Sequence, residues 1–192
     1  MFAAEGKPMR PGVGPPLAIL GSGRSRGETA ALLERLIAGL DCRVIDLLQQ
    51  SVLPFSYGAD ERKDSFSDII SLVAAAPVVV LATPVYWYSY SAQMKCFIDR
   101  FYDLPARFPD VVARLRGKQI VLLACGETPE LEAALNLAFN QFCDALGMHC
   151  VALVYGQRTG PFTDPAAVRL VRERMTDPSK TTAGFPTVHE AR

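Results

Sequence analysis

The sequence predicts an α/β domain in which five parallel strands form a doubly wound sheet of order 2-1-3-4-5, with helices on both faces. Three observations point there. Short apolar runs alternate with stretches of helical periodicity along the 192-residue chain, and that alternation builds parallel sheets joined by right-handed crossovers. The run Val78 to Ala82 is β-branched and uninterrupted, as expected of a strand covered on both faces at a sheet centre. No internal repeat is visible, and the length suits one core better than two.

The first strand is Leu17 to Leu20, ending abruptly in Gly21-Ser22-Gly23-Arg24-Ser25-Arg26-Gly27. A helix follows from Thr29, with Leu33, Leu36, Ile37 and Leu40 on one face. Cys42 to Leu47 reads as the second strand, and Gln49 to Arg62 as a loop containing Pro54 and Gly58. Phe66, Ile69, Ile70 and Val73 recur at helical spacing until Pro77 stops them. After the third strand, Met94, Phe97, Ile98 and Phe101 mark a helix capped at Ser89 or Ser91. Gln119 to Ala124 is the fourth strand, and Thr128 with Pro129 opens the next helix. Leu131, Leu135, Phe139, Phe142 and Leu146 form its apolar face, and His149 to Val154 is the fifth strand. Asp164-Pro165 starts a last helix carrying Val168, Val171 and Met175. The chain thus divides into a Pro/Gly-rich arm (1–16), a domain (17–176) and a tail (177–192) that is either disordered or laid on a partner subunit. The tail is poor in apolar residues apart from Phe185 and Val188.

Twenty basic and twenty acidic side chains cancel to zero net charge, which recommends neither nucleic acid nor an anionic membrane as partner. No apolar run reaches the length of a membrane span, and the first sixteen residues lack the apolar centre of a signal peptide. The five cysteines are scattered and never form C-x-x-C. They suit a reducing cytoplasm and argue against a disulfide framework, a zinc site or an iron–sulfur cluster.

Ligands of doubly wound sheets sit beyond the carboxyl ends of the strands, where the winding reverses, here between strands 1 and 3. The turn after strand 1 aims unpaired backbone N–H groups and a helix dipole at one point, with two hydroxyls and two arginines nearby. It reads as a phosphate seat; the plainer alternative is a tight turn with solvated arginines. The turn after strand 3, Thr83 to Ser91, contains Tyr86, Trp87, Tyr88 and Tyr90, including the only tryptophan. A flat ring would cover these faces, unless they pack into the core or a subunit interface. Cys125-Gly126-Glu127, after strand 4, supplies a third wall, with Gly126 allowing backbone to approach a ligand. Cys125 reads as a buried, inert thiol. Lys95, Asp99 and Arg100 read as ion-pairing or subunit contacts, and His149 and His189 as structural or solvated.

The motifs G-S-x-R-S-x-G-x-T (from Gly21) and T-P-V-Y-W-Y-S-x-S-A-Q-M-K-x-F-I-D-R (from Thr83) resemble those of the NADPH-dependent FMN reductase group. That group includes flavodoxin-like oxidoreductases and the flavin domain of iron–sulfur flavoproteins. The resemblance runs over about residues 17 to 155. It implies a flavodoxin-like fold, non-covalent FMN, and NAD(P)H as co-substrate. Ser22, Arg24, Gly27 and Thr29, in one loop with Ser25 and Glu28, match the phosphate cradle. Pro84, Val85, Tyr86 and Trp87 match the loop against the isoalloxazine ring, and Gly126, beside Cys125 of the third wall, matches the loop near the opposite edge. Glu28 stands where members often have asparagine, and a carboxylate there repels a phosphate dianion.

The implied activity passes two electrons from NAD(P)H through FMN to a quinone, flavin or similar small-molecule electron acceptor, with no protein acid or base singled out. A homodimer or homotetramer is expected from family habit. An electron carrier is the rival reading, although carriers present an acidic face that this balanced chain lacks. Another is a regulatory flavoprotein binding a protein through Phe101, Tyr102, Phe108 and the tail. A phosphorelay receiver would need carboxylates for magnesium where Gly21-Ser22-Gly23 stands.

Overall fold

The structure, a computed structural model, describes residues 14–58, 63–127, 131–157 and 160–179. The arm as far as residue 13, the Thr128-Pro129 cap and the tail beyond residue 179 lie outside them. The strands are β1 (Leu17–Leu20), β2 (Arg43–Asp46), β3 (Val78–Tyr86), β4 (Ser89–Tyr90), β5 (Gln119–Cys125) and β6 (His149–Gly156). The helices are α1 (Glu28–Ile37), α2 (Phe66–Ala75), α3 (Ala92–Asp99), α4 (Leu104–Arg107), α5 (Pro109–Leu115), α6 (Leu131–Ala145) and α7 (Pro165–Thr176). A parallel sheet runs β2-β1-β3-β5-β6, and β4 pairs antiparallel with the end of β3. Counted over the five parallel strands, this is the expected order 2-1-3-4-5.

Alternation along β3 explains why that run is apolar throughout. Val79 and Leu81 face one core, shared with α2, α3, α5 and α6, while Val78, Val80 and Ala82 face a second, shared with α1 and α7. Both faces are covered, so no polar residue is tolerated between them. On the first side Phe66 meets Phe97, Phe101 and Phe108, and Phe101 meets Phe142. Phe101 is therefore core, and of the described residues in the surface expected from Phe101, Tyr102, Phe108 and the tail only Tyr102 is well exposed.

Other details differ from the expected pattern. Among the described side chains of α6, Leu135, Phe139 and Cys143 are buried and Phe142 and Leu146 partly covered, while that of Leu131 lies outside the description. In α7 Ala167 joins Val171 and Met175 in full burial, and Val168 packs partly covered against the same core. Leu47 to Gln49 forms a 3₁₀ turn at the mouth of the predicted loop. The short helices α4 and α5 were not anticipated; Pro105 and Pro109 sit in their first turns, where a missing N–H costs nothing.

Arg100 extends this helical layer inward. Only 2% exposed, it is paired with Asp64, lies 2.6 Å from Asp103 and sits over the Phe66 ring at 4.5 Å. Its N–H also donates to Leu53 O at 3.0 Å, so the loop after β2 is pinned to α3. Lys95 and Asp99 pair on the exposed side of the same helix.

Candidate functional site

Three strand ends meet at the point where the winding reverses. Gly21 N–H donates to Ala82 O at 2.8 Å, carrying the β1–β3 ladder one residue past β1. A Cβ at Gly21 would lie 2.7 Å from that of Met94, so α3 packs directly on this backbone. Ser91, fully buried, ties the junction together. Its hydroxyl donates to Gly21 O (2.6 Å) and accepts from Met94 N–H (3.1 Å), while its own N–H donates to Thr83 Oγ1 (3.1 Å). Ser91, not Ser89, is thus the cap of α3.

The opening of α1 has the opposite character. Gly27 occupies its N-cap with no side chain bonded there, and the first helical bond is Ala31 N–H to Gly27 O at 3.1 Å. The N–H groups of Glu28, Thr29 and Ala30 therefore have no acceptor within the helix, and the positive end of its dipole is open. Ser22 Oγ accepts from Arg24 N–H at 3.4 Å, which folds the turn back on itself.

A cavity of ≈ 290 Å³ lies in front of these groups. It is lined by Ser22, Arg24, Gly27, Glu28 and Thr29 from the first turn, Pro84, Val85 and Tyr86 from the end of β3, and Cys125, Gly126 and Glu127 after β5. Ten of the twelve residues singled out from sequence meet there. Ser22 and Thr29 put buried hydroxyls at its floor, and Arg24 stands exposed at its rim. Burial pushes the Cys125 thiol up, and the nearby Glu28 charge adds to this, against a hydrogen bond with Thr29 that lowers it. The thiol stays protonated, consistent with an inert role.

The other two residues are elsewhere. Ser25 Oγ accepts from Gln49 Nε2 at 3.1 Å, bracing the first turn against the 3₁₀ turn after β2. Trp87 is 93% exposed at the tip of the β3–β4 hairpin, with Tyr88 70% and Tyr86 48% exposed beside it. Trp87 and Tyr88 are the two residues between the paired Tyr86 and Ser89, with φ of 47° and 65°. Such turns normally carry Asn-Gly, because left-handed backbone penalises side chains. Two large aromatics are held here at a cost in strain.

Gly126 is needed for a reason the sequence does not show. A Cβ there would lie 2.2 Å from Tyr155 Oη and 3.4 Å from Val85 Cβ. The space is taken by a fully buried tyrosine of β6, so the glycine answers first to packing. Glu127 also joins the lining. Gln157 Nε2 donates to Glu127 O at 3.3 Å, and Arg35 donates to Gln157 O at 3.2 Å, so α1 braces this wall. Its place there is the one expected from its position at a strand's carboxyl end.

The sequence model of the NADPH-dependent FMN reductase family matches residues 17–177. The chain belongs to that family. It is similar to the putative NAD(P)H-dependent FMN-containing oxidoreductase YwqN of Bacillus subtilis (strain 168), 28% identical over 156 residues, which are 76% of this chain and 86% of that protein. Among solved structures it resembles the Trp repressor binding protein from Bacillus subtilis, with a TM-score of 0.63 and 28% identity, over 84% of this chain and 96% of that one. It also shares its fold, at 13% identity and a TM-score of 0.56, with an FMN-dependent NADH-azoreductase from Bacillus anthracis in complex with FMN (88% of this chain, all of that one).

Membership makes the protein a flavodoxin-like oxidoreductase whose cofactor is FMN and whose co-substrate is NAD(P)H. The residues present fit that cofactor. An uncapped helix N-terminus with two buried hydroxyls and a guanidinium suits a phosphate, and an apolar wall ending in an aromatic hairpin suits a ring. Two carboxylates, Glu28 and Glu127, share the lining with a single arginine. Side-chain charge alone therefore does not favour an anion, and the backbone N–H groups must supply the balance. Among the described residues no helix is long and apolar enough to cross a membrane, and no group of three or more His, Cys, Asp or Glu side chains is placed to hold a metal ion.

Proposed function

We propose that the protein passes two electrons from NAD(P)H, through FMN seated in this cavity, to a quinone, free flavin or similar small planar acceptor. When bound, FMN supplies the two-electron chemistry. The observation carrying this reading is the joining, in one cavity, of the open α1 N-terminus with the aromatic end of β3. Ser22, Thr29 and the N–H groups of Glu28 to Ala30 would hold the phosphate, with Arg24 closing over it from the rim. Pro84, Val85 and Tyr86 would bear the ring, and Trp87 with Tyr88 would offer an exposed apolar platform at its edge. Cys125 and Gly126 would close the opposite side. The protein's own part is to orient and to keep one ring face accessible. A domain spanning residues 17–176, a soluble protein of a reducing compartment, and assembly as a homodimer or homotetramer belong to the same reading.

The test is reconstitution with FMN followed by NADH and NADPH oxidation with quinone, flavin and azo acceptors. Turnover with at least one acceptor is expected; an FMN-loaded protein that oxidises neither nucleotide would refute the enzyme and leave a carrier. Arg24→Ala is expected to weaken FMN by roughly tenfold to a hundredfold, the loss of about 1.5–3 kcal/mol for a charge-assisted bond, and to leave riboflavin affinity nearly unchanged. Equal losses for the two ligands would show that Arg24 does not meet the phosphate.

A further inference from the structure

Away from this cavity, α6 and β6 bring two thiols together. Cys143 lies near the end of α6 and is 1% exposed; Cys150, the second residue of β6, is partly exposed on the edge strand of the sheet. The turn between them is tight: Leu146 N–H and Met148 N–H both donate to Cys143 O (3.1 and 2.9 Å), and Gly147 has φ +65°. Both sulfurs lie on the α6 side of the sheet in one core, close enough for the thiols to interact. The remaining described cysteines meet other partners: Cys42 the Arg43 carbonyl, Cys96 the Val52 carbonyl and Cys125 the Thr29 hydroxyl.

The encounter depends on an irregularity in the sheet. Along β5–β6 the pairing shifts between Ile120, opposite Cys150, and Val121, opposite Ala152. Val151 and Ala152 consequently face the α1/α7 core in succession, while Cys150 joins Leu153 and Tyr155 on the α6 side. Under strict alternation Cys150 would share the side of Ala152 and Val154, away from α6. The extra residue re-aims Cys150 at Cys143, a known use of β-bulges.

The surroundings divide the two sulfurs chemically. Interaction with the Cys143 thiol holds the Cys150 thiol below its ordinary value; the same interaction and burial push Cys143 up. Cys150, lower and partly exposed, is the attacking thiolate, and Cys143 is the reserve of a second thiol. Tyr90 completes the cluster: its buried hydroxyl has no hydrogen-bond partner and lies close enough to feel both thiols.

We propose that Cys143 and Cys150 are a dithiol oxidised by hydroperoxides to a reversible disulfide. The Cys150 thiolate attacks a peroxide oxygen, the O–O bond breaks, and the released alkoxide or hydroxide takes up a proton. The sulfenic acid so formed is attacked by the Cys143 sulfur, whose proton leaves with the displaced hydroxide as water. Overall, two thiols and ROOH give one disulfide, ROH and H2O; each sulfur loses one electron and the peroxide gains two. A small or protein dithiol restores the pair by thiol–disulfide exchange and is itself left as a disulfide, which suits a regulatory bond in a reducing compartment.

The test uses the full chain, with hydrogen peroxide as the probe, alkylation of remaining thiols, digestion and peptide mass mapping. The expected product joins the Cys143 and Cys150 peptides, is cleaved by dithiothreitol, and lowers the free-thiol count from the five in the sequence by two. Cys143→Ser should leave Cys150 as a dimedone-reactive sulfenic acid, and Cys150→Ser should leave Cys143 unreactive. Wild-type protein in which both cysteines remain alkylatable, while Cys42 or Cys96 is oxidised, would overturn the assignment whatever the variants do.

Discussion

Gly126→Ala tests the placement of the third wall more sharply than any change of charge. The new Cβ would meet Tyr155 Oη at 2.2 Å, where ordinary contact begins at 3.4 Å, a deficit of about 1.2 Å. Tyr155 is 1% exposed and cannot swing away. Val85 Cβ, at 3.4 Å, leaves no room on the other side. The backbone between Cys125 and Glu127 must therefore move. Overpacking of this kind costs about 1–3 kcal/mol, and each kcal/mol lowers Tm by roughly 2–4 °C in a chain of this size. Thermal unfolding followed by circular dichroism should show a fall of roughly 2–12 °C, with weaker FMN binding in a fluorescence titration. Adding Tyr155→Phe removes the 2.2 Å contact and leaves 3.2 Å to Cζ. The double variant should thus recover stability relative to Gly126→Ala alone, with a coupling of about 1–2 kcal/mol. If Gly126→Ala melts with the wild type, or the phenylalanine gives no recovery, the wall is not where the structure puts it.

Asp64→Asn removes one of the two carboxylates on the buried Arg100 and should cost about 3 kcal/mol in chemical denaturation. Burial by itself would raise the Asp64 carboxyl. Hydrogen bonds from Arg100 and from the Leu53 and Phe66 N–H groups outweigh it and hold the group below the usual carboxylate range. Its contribution is therefore complete above the ordinary carboxylate value and disappears as pH falls through the lower folded one. Urea midpoints should fall less steeply in acid for Asp64→Asn than for wild type; parallel slopes would sink the pairing argument. Replacing Trp87-Tyr88 by Asn-Gly relieves two left-handed side chains and should stabilise the protein by about 1–2 kcal/mol, while raising KM for a planar acceptor. A less stable variant would show that the hairpin is not strained.

The sheet was legible because strands covered on both faces must be apolar throughout: Val78 to Ala82 and Gln119 to Ala124 announce their burial residue by residue. The first wall of the cavity was legible for a related reason: a turn that leaves a helix start open is built from glycines and small hydroxyls, and all of these are visible as letters. What escaped depends on three-dimensional neighbours. α4 and α5 are short, and their inward residues Leu104, Val111 and Leu115 show no sustained period. The roles of Gly126 and Ser25 were set by Tyr155 and Gln49, distant along the chain. The inward turn of Cys150 follows from a register shift that alternation alone would have reversed.

Trp87 shows where reading by composition reaches its limit. Four aromatics near a strand end implied a stacking surface, but composition says nothing of the handedness of the backbone between them. With φ positive at both tip residues, the hairpin closes in two residues and lifts Trp87 clear of the cavity, while Tyr86, one residue earlier and still paired, remains in its lining. The division matters for function. Tyr86 is fixed by the β3–β4 ladder and can orient a ring. Trp87 and Tyr88 carry apolar surface into solvent at a cost in backbone strain. A protein that needed only to grip its cofactor would gain stability by placing Asn-Gly at this tip. On the proposed function, the two exposed rings would meet a second flat molecule that arrives and leaves, the electron acceptor.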